Sequence, residues 1–157
     1  MQFLVLNGPN LNFLGHREPQ IYGIQSYEAL EDFVQAAARE AGCQVTIRQT
    51  NHEGVLVDWI QQAWGSYEGI ILNPAAYTHT SVAILDALRA VNLPAVEVHL
   101  SDVGRREAFR RVSYPGLACL ACFQGLGFEG YRRAIYFLRD HLLARTGGQL
   151  ESMERPL

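Results

Sequence analysis

The 157-residue sequence contains no lysine, since all 13 of its Lys and Arg positions are arginines. Without a side-chain amine, the protein cannot form a lysine Schiff base with a carbonyl substrate or with pyridoxal phosphate, and it lacks the lysine of a phosphate-binding P-loop. Any carbonyl chemistry must therefore proceed through an enol or enolate. A net charge of −3 also gives no positive field for binding nucleic acid.

Metal ligands and long apolar runs are also scarce. Cys119 and Cys122 form a C-x-x-C motif. The only other cysteine is Cys43, so there is no second cysteine pair to complete a four-ligand zinc site. We expect these cysteines to be buried structural thiols. The histidines form no H-x-x-x-H pair, and we expect neither a metal nor another cofactor. The lack of a basic leader and of a membrane-spanning run predicts a cytoplasmic protein.

Short apolar, β-branched runs alternate with longer segments of helical periodicity. The short runs predict strands near residues 3–6, 45–48, 70–72, 95–99 and 117–123. The periodic segments predict helices over residues 26–39, 55–64, 81–91 and 130–144. This βαβ series predicts an α/β protein with a flavodoxin-like, three-layer domain and a five-stranded parallel sheet of order 2-1-3-4-5. We expect one domain over residues 1–145 and a flexible C-terminal tail over 146–157.

A long loop follows the first predicted strand and is rich in asparagine, glycine and proline. Loops of this length inside a compact domain are typical of lids and binding loops. Arg17 and Tyr22 are its candidate catalytic pair, because a guanidinium near a phenol lowers the pKa of the phenol and can make it a base. The alternative is an exposed loop whose polar residues only stabilise turns.

The carboxyl ends of the other strands also carry polar side chains, at the sheet edge where doubly wound domains bind ligands. Strand alternation places Glu97, His99 and Ser101 on one face. Glu97 could then orient His99, which could act as a general acid on a substrate held at Ser101.

A glycine motif offers a competing interpretation. Gly125, Gly127 and Gly130 fit G-x-G-x-x-G after a strand, but this cluster precedes the last helix, with no later strand to supply the acidic residue of a dinucleotide site. We therefore expect turn and close-packing glycines.

With these residues in place, the sequence closely resembles the type II 3-dehydroquinate dehydratases, small flavodoxin-like enzymes of the shikimate and quinate pathways. The resemblance runs from residue 1 to about residue 142. It rests on the segments Asn-Gly-Pro-Asn-Leu-Asn, Arg-Glu-Pro-x-x-Tyr-Gly, Gln-Thr-Asn-His-Glu-Gly, Asn-Pro-Ala-Ala-Tyr-Thr-His, Glu-Val-His-Leu-Ser and Arg-Glu-Ala-Phe-Arg, in that order.

The resemblance implies an anti elimination of water through an enolate. It assigns Tyr22 as the base that removes a C2 proton, Arg17 as the cation that lowers its pKa, and His99 as the acid that protonates the departing C1 hydroxyl. Asn10 would stabilise the enolate, and Glu97 would orient the histidine. The missing lysine agrees with this chemistry, because the unrelated type I enzymes use a lysine imine.

The resemblance also implies residues that bind the small anionic substrate 3-dehydroquinate and an assembly of several chains. It implies that the substrate hydroxyls are bound by Asn73, His79, Asp86 and Arg110. It implies that the substrate carboxylate is bound by Leu100 and Ser101. The implied assembly is a homo-oligomer, a dodecamer built from trimers, in which Asp86 reaches a neighbouring subunit's site. Two alternatives are a flavodoxin-like module that binds a nucleotide or flavin, and a regulatory domain of the receiver type.

Overall fold

The computed structural model describes residues 1–16 and 25–153. Its strands are β1 (Gln2–Asn7), β2 (Gln44–Gln49), β3 (Gly69–Asn73), β4 (Ala95–His99) and β5 (Ala121–Gln124). They pair in parallel in the order β2-β1-β3-β4-β5, which leaves β2 and β5 at the edges. The predicted fold class and strand order are confirmed.

The longer helices are α1 (Tyr27–Glu40), α2 (Glu53–Gln62), α3 (Val82–Val91) and α4 (Glu129–Met153). Ser26 caps α1 by accepting a hydrogen bond from the backbone N–H of Ala29, and Ser81 caps α3 in the same way through Ile84. The last helix extends past the predicted end at Ala144. Among the described residues, no helix combines the length and the apolar character needed to cross a bilayer.

Helices cover both faces of the sheet because its central strands are apolar on both sides. Phe3 and Val5 of β1 belong to a core formed with α1 and α4, while Leu4 and Leu6 belong to a second core formed with α2 and α3. This alternation along a single strand produces the three-layer arrangement.

The fifth strand is shorter than the sequence predicts. Pro115 opens a short 3-10 helix, Pro115–Ala118, so β5 begins only at Ala121. Leu117 and Leu120 are exposed, at 66% and 50% of their surface. The prediction of a buried strand over residues 117–123 was wrong at its beginning, because an apolar run does not distinguish an exposed turn from a buried strand.

Candidate active site

A pocket lies at the carboxyl ends of β1, β3 and β4, the edge at which parallel α/β sheets bind ligands. The segments that follow these strands form its walls. It is lined by Pro9, Asn10, Leu11, Leu14, Asn73, Ala75, Ala76, His79, His99, Leu100, Ser101, Val103, Arg106 and Arg110.

Two buried ionisable side chains of β4 contact each other at one wall of this pocket. His99 lines the pocket and is 5% exposed, whereas Glu97 is 1% exposed. The two side chains share a face of the strand, and His99 Nε2 lies 3.0 Å from Glu97 Oε1. With Nε2 donating to the carboxylate, Nδ1 is the ring nitrogen left for a ligand. The carboxylate stabilises an imidazolium, so the pair can hold a proton for transfer.

The Glu97 carboxylate is fixed by the segment that precedes β5. Ser113 Oγ donates to it, at 2.8 Å from Oε1 and 3.0 Å from Oε2, and accepts a hydrogen bond from the backbone N–H of Gly116 at 2.9 Å. A Cβ at position 116 would lie 2.6 Å from Glu97 Oε2, so a larger residue there would displace the carboxylate. Ser113 and Gly116 therefore set the orientation of the Glu97 carboxylate without a bound ligand.

A second polar cluster crosses the ends of β1 and β3, and it consists of neutral groups. The Tyr131 hydroxyl donates to Asn7 Oδ1 at 2.6 Å and accepts from Asn73 Nδ2 at 3.0 Å. Asn7 Nδ2 in turn donates to the Tyr27 hydroxyl at 3.2 Å. Burial raises the pKa of Tyr131, and it raises the pKa of Tyr27 to about 12, so both phenols stay protonated at neutral pH.

This amide and phenol cluster also fixes the backbone of the pocket. Asn73 Oδ1 accepts a hydrogen bond at 3.2 Å from the N–H of Ala75, whose φ is 51°. Across the pocket, Asn10 has a φ of 67°, and its N–H donates to Asn51 Oδ1 at 2.9 Å. Such left-handed conformations are unfavourable for non-glycine residues and persist where surrounding contacts stabilise them. The pocket walls are thus held in one conformation.

The remaining wall presents groups suited to an anionic, hydroxylated ligand. His79 Nδ1 lies 2.8 Å from the carbonyl oxygen of Val112, which can only accept, so Nδ1 carries hydrogen and a neutral ring offers Nε2 as an acceptor. Arg106 and Arg110 line the pocket with two guanidinium groups. Glu107 positions Arg110 through a contact of 2.7 Å to its Nε. Guanidinium groups combine a positive charge with several N–H donors, so they suit both the charge and the hydroxyls of such a ligand.

The comparison with known families is consistent with this geometry. The model of the family described as Dehydroquinase class II matches residues 1–139. The chain belongs to the class II dehydroquinase family. The 3-dehydroquinate dehydratase 2 of Pseudomonas aeruginosa is 57% identical over 132 residues, covering 84% of this chain and 89% of that protein. The 3-dehydroquinate dehydratase of Bartonella tribocorum is 50% identical over 139 residues, covering 88% and 93%.

Solved structures of the family have the same fold. The type II dehydroquinase of Butyrivibrio crossotus superposes with a TM-score of 0.86 at 45% identity, covering 88% of this chain and 97% of that one. The type II dehydroquinase of Propionibacterium acnes gives a TM-score of 0.85 at 42% identity, covering 88% and 96%.

Most of the site residues predicted for this class II dehydroquinase lie together. Glu97 is behind His99, and Asp86 lies on the exposed face of α3 outside the pocket. Arg17 and Tyr22 lie outside the described residues. The predicted residues that line the pocket are Asn10, Asn73, His79, His99, Leu100, Ser101 and Arg110.

Three further residues of the site received no role from sequence reasoning. Arg106 lies in a segment that carries the resemblance, so its motif was a usable signal. Ser113 contacts Glu97 from 16 positions away, and Tyr131 contacts Asn7 from 124 positions away. Neither of these two contacts has a sequence pattern that identifies it.

The prediction of three buried thiols was correct only for Cys43. Cys119 is half-buried and precedes β5, so it is not part of a buried strand. Cys122 is exposed as a residue, although its sulfur faces the buried Glu97 and His99. Burial, with the Glu97 carboxylate as the second cause, raises the pKa of Cys119 and of Cys122 to about 12.

The glycine motif has the predicted turn and packing roles. Gly125 and Gly127 have φ values of 74° and 55°, and their N–H groups donate to the carbonyl oxygens of His99 and Leu100. A Cβ on Gly130 would lie 3.1 Å from Val98 Cγ1. Because these two N–H groups are engaged by backbone carbonyls, they are not presented to a pyrophosphate.

Proposed function

We infer that this chain is a 3-dehydroquinate dehydratase, a hydro-lyase that converts 3-dehydroquinate to 3-dehydroshikimate by an anti elimination of water through an enolate. The observation that carries this inference is the buried Glu97–His99 pair at the wall of a pocket that also contains two arginines. Relatives at 50% and 57% identity bear the name 3-dehydroquinate dehydratase. Shikimate-pathway chemistry follows from that substrate.

The proposed steps transfer one proton from the substrate to the enzyme and one proton from the enzyme to the leaving hydroxyl. Tyr22, with its pKa lowered by Arg17, removes a proton from C2 of the substrate and generates an enolate that Asn10 stabilises. The electron pair then expels the C1 hydroxyl, to which His99 donates a proton, so the leaving group departs as water. Glu97 stabilises the imidazolium before this donation and orients its ring.

The substrate is held by groups that match its charge and hydroxyls. Leu100 and Ser101 would bind the carboxylate through backbone and hydroxyl donors, because both line the pocket beside His99. His79 would accept from a substrate hydroxyl through Nε2, since its Nδ1 is engaged by a backbone carbonyl. Asn73 and Arg110 would complete the hydroxyl contacts.

The location and assembly of the enzyme belong to the same proposal. A cytoplasmic homo-oligomer, a dodecamer built from trimers, would allow Asp86 to contact a neighbouring subunit's substrate. Its position outside the pocket of its own chain supports this role. Sedimentation showing a fully active monomer would contradict the proposal.

The activity is tested by following the ultraviolet absorbance of the conjugated product after purified protein is mixed with 3-dehydroquinate. We expect product to form without added cofactor, and its absence at saturating substrate would refute the assignment. A parallel incubation with substrate and borohydride tests the route. With no lysine in the chain, we expect no added substrate mass by intact-protein mass spectrometry, whereas a trapped adduct would exclude the enolate mechanism.

A further inference from the structure

Cys122 lies beside the ionisable pair of β4, and the register of the sheet explains why. In the parallel ladder between β4 and β5, Cys122 is the partner of Glu97. Paired residues of adjacent strands share a face of the sheet, and His99 shares that face because it is two residues beyond Glu97. A sulfur, an imidazole nitrogen and a carboxylate oxygen from these residues lie within 4.8 Å of one another.

These donors form a set that binds zinc. Thiolate, imidazole and carboxylate are its common protein ligands, and three protein ligands with a water in the fourth position form an ordinary tetrahedral site. This set could not be predicted from the sequence, because its spacing matches no zinc motif. It arises only when the register aligns two strands that are separated by 22 residues or more along the chain.

The cluster can be reached from a side that the substrate does not use. Cys122 is exposed on the edge strand, whereas Glu97 and His99 are 1% and 5% exposed. Neither Cys122 nor Glu97 belongs to the pocket lining. An ion arriving past the β5 edge would therefore meet the sulfur first and His99 Nε2 behind it.

We propose that Glu97, His99 and Cys122 form an inhibitory site for Zn²⁺ or another thiophilic divalent cation. The ion takes the place of the proton that His99 Nε2 donates to Glu97. The displaced proton passes through solvent to Nδ1, which leaves a neutral imidazole ligand, and the thiol proton of Cys122 is released to solvent. With a metal on Nε2, donation of the Nδ1 proton would leave a metal-bound imidazolate instead of a neutral imidazole, so His99 is a much weaker acid than the imidazolium. Inhibition rests on the proposed function of His99, but binding of the ion does not.

The binding test uses Co²⁺ as a spectroscopic replacement for zinc on the full-length protein. A thiolate-to-cobalt charge-transfer band is expected in the wild type, absent in Cys122→Ser, and retained in Cys119→Ser, which removes a neighbouring thiol outside the ligand set. An equal loss of the band in both variants, or its retention in Cys122→Ser, would overturn the site. In the wild type, Zn²⁺ should also protect Cys122 from N-ethylmaleimide, read by peptide mass spectrometry, and unprotected labelling would equally refute it.

The inhibition test measures turnover of 3-dehydroquinate against added Zn²⁺, each protein relative to its own metal-free rate. Cys122→Ser should require at least ~10-fold more Zn²⁺ than the wild type, since losing even an outer-sphere partner of a metal typically costs 10–100-fold in affinity. Mg²⁺, which prefers oxygen ligands, should have no effect at the same concentrations. A cobalt band with unchanged turnover under saturating Zn²⁺ would contradict the inhibitory role while leaving the binding site intact.

Discussion

The carboxyl edge of the sheet has two polar halves that differ in the kind of group they bury. At β1 and β3, the side chains are the buried Asn7, Asn73 and Tyr131 and the half-buried Tyr27, amides and phenols that bond to one another without a formal charge. At β4, the buried pair is ionisable, with His99 Nε2 at 3.0 Å from Glu97 Oε1.

The difference suggests that the neutral half maintains the shape of the pocket and that the ionisable half transfers the proton. Neutral hydrogen bonds inside a protein stabilise one geometry at little electrostatic cost, provided that every group is paired. A buried ionisable pair is costly to desolvate, and such pairs are common at functional sites. We therefore expect substitutions in the neutral half to change stability first, and substitutions in the ionisable half to change the reaction rate first.

The largest effect is expected from His99→Gln, which keeps a polar side chain but removes the acid. Turnover should fall by ~10²–10⁴-fold, the usual contribution of a general acid, with little change in the unfolding midpoint. The matched control is His52→Gln, an exposed histidine outside the pocket, which should keep near-normal turnover. Near-normal turnover in His99→Gln would contradict the role of the Glu97–His99 pair in proton transfer.

A smaller loss of rate is expected from Glu97→Gln, which preserves the shape of the side chain and removes its charge. A hydrogen bond to a charged group contributes about 1.5–3 kcal/mol, so turnover should fall roughly 10- to 100-fold. Steady-state kinetics should show this loss mainly in kcat, because Glu97 does not line the pocket. A loss confined to KM would instead indicate a substrate-binding role.

The neutral half is tested by Tyr131→Phe, which keeps the ring and leaves buried amide groups of Asn7 and Asn73 without their partner. Each unsatisfied group costs about 1–3 kcal/mol, so the free energy of unfolding in urea should drop by at least that amount. Turnover should change less than ~10-fold. Tyr136→Phe, on the same helix, is the control and should have little effect on either quantity. Loss of activity without loss of stability would contradict the division between the halves.

At neutral pH the smallest effect is that of the raised pKa values of the partly buried phenol and thiols, which change stability only under alkaline conditions. Burial raises the pKa of Tyr27 from 10.0 to about 12, and those of Cys119 and Cys122 from 9.0 to about 12. The unfolded chain therefore loses these protons first, so stability should fall as pH rises from about 9 to about 12. Tyr27→Phe should flatten the part of the fall above pH 10 in denaturant titrations. An unchanged slope in that variant would show that this phenol is not protected by the fold.

Local sequence features were sufficient to predict much of the fold and part of the site. Alternating apolar runs and helical periodicity predict a parallel sheet with right-handed crossovers, and 2-1-3-4-5 is the usual strand order of a five-stranded flavodoxin-like domain. Strand alternation alone places Glu97 and His99 on one face. The sequence also predicts that the pocket residues lie close together, because the carboxyl ends of parallel strands meet at one edge of the sheet.

The features that were missed depend on contacts between distant parts of the chain. The bond between Tyr131 and Asn7 spans 124 positions, and the pairing of Glu97 with Cys122 requires the register of β5. That register was not predictable, because the apolar run before Ala121 forms an exposed 3-10 turn instead of more strand. Hydrophobicity alone does not distinguish an exposed 3-10 turn from a continued strand.

The most direct test of the central claim, that acid and base are separate groups, is exchange of the C2 proton of 3-dehydroquinate in deuterated water. If Tyr22 removes this proton and His99 acts only on the C1 hydroxyl, His99→Gln should still incorporate deuterium at C2 of recovered substrate while forming little product. Tyr22→Phe should do neither. Both variants are compared with the wild type by mass spectrometry of recovered substrate and product. Failure of His99→Gln to exchange C2, with exchange retained in Tyr22→Phe, would contradict the assigned roles.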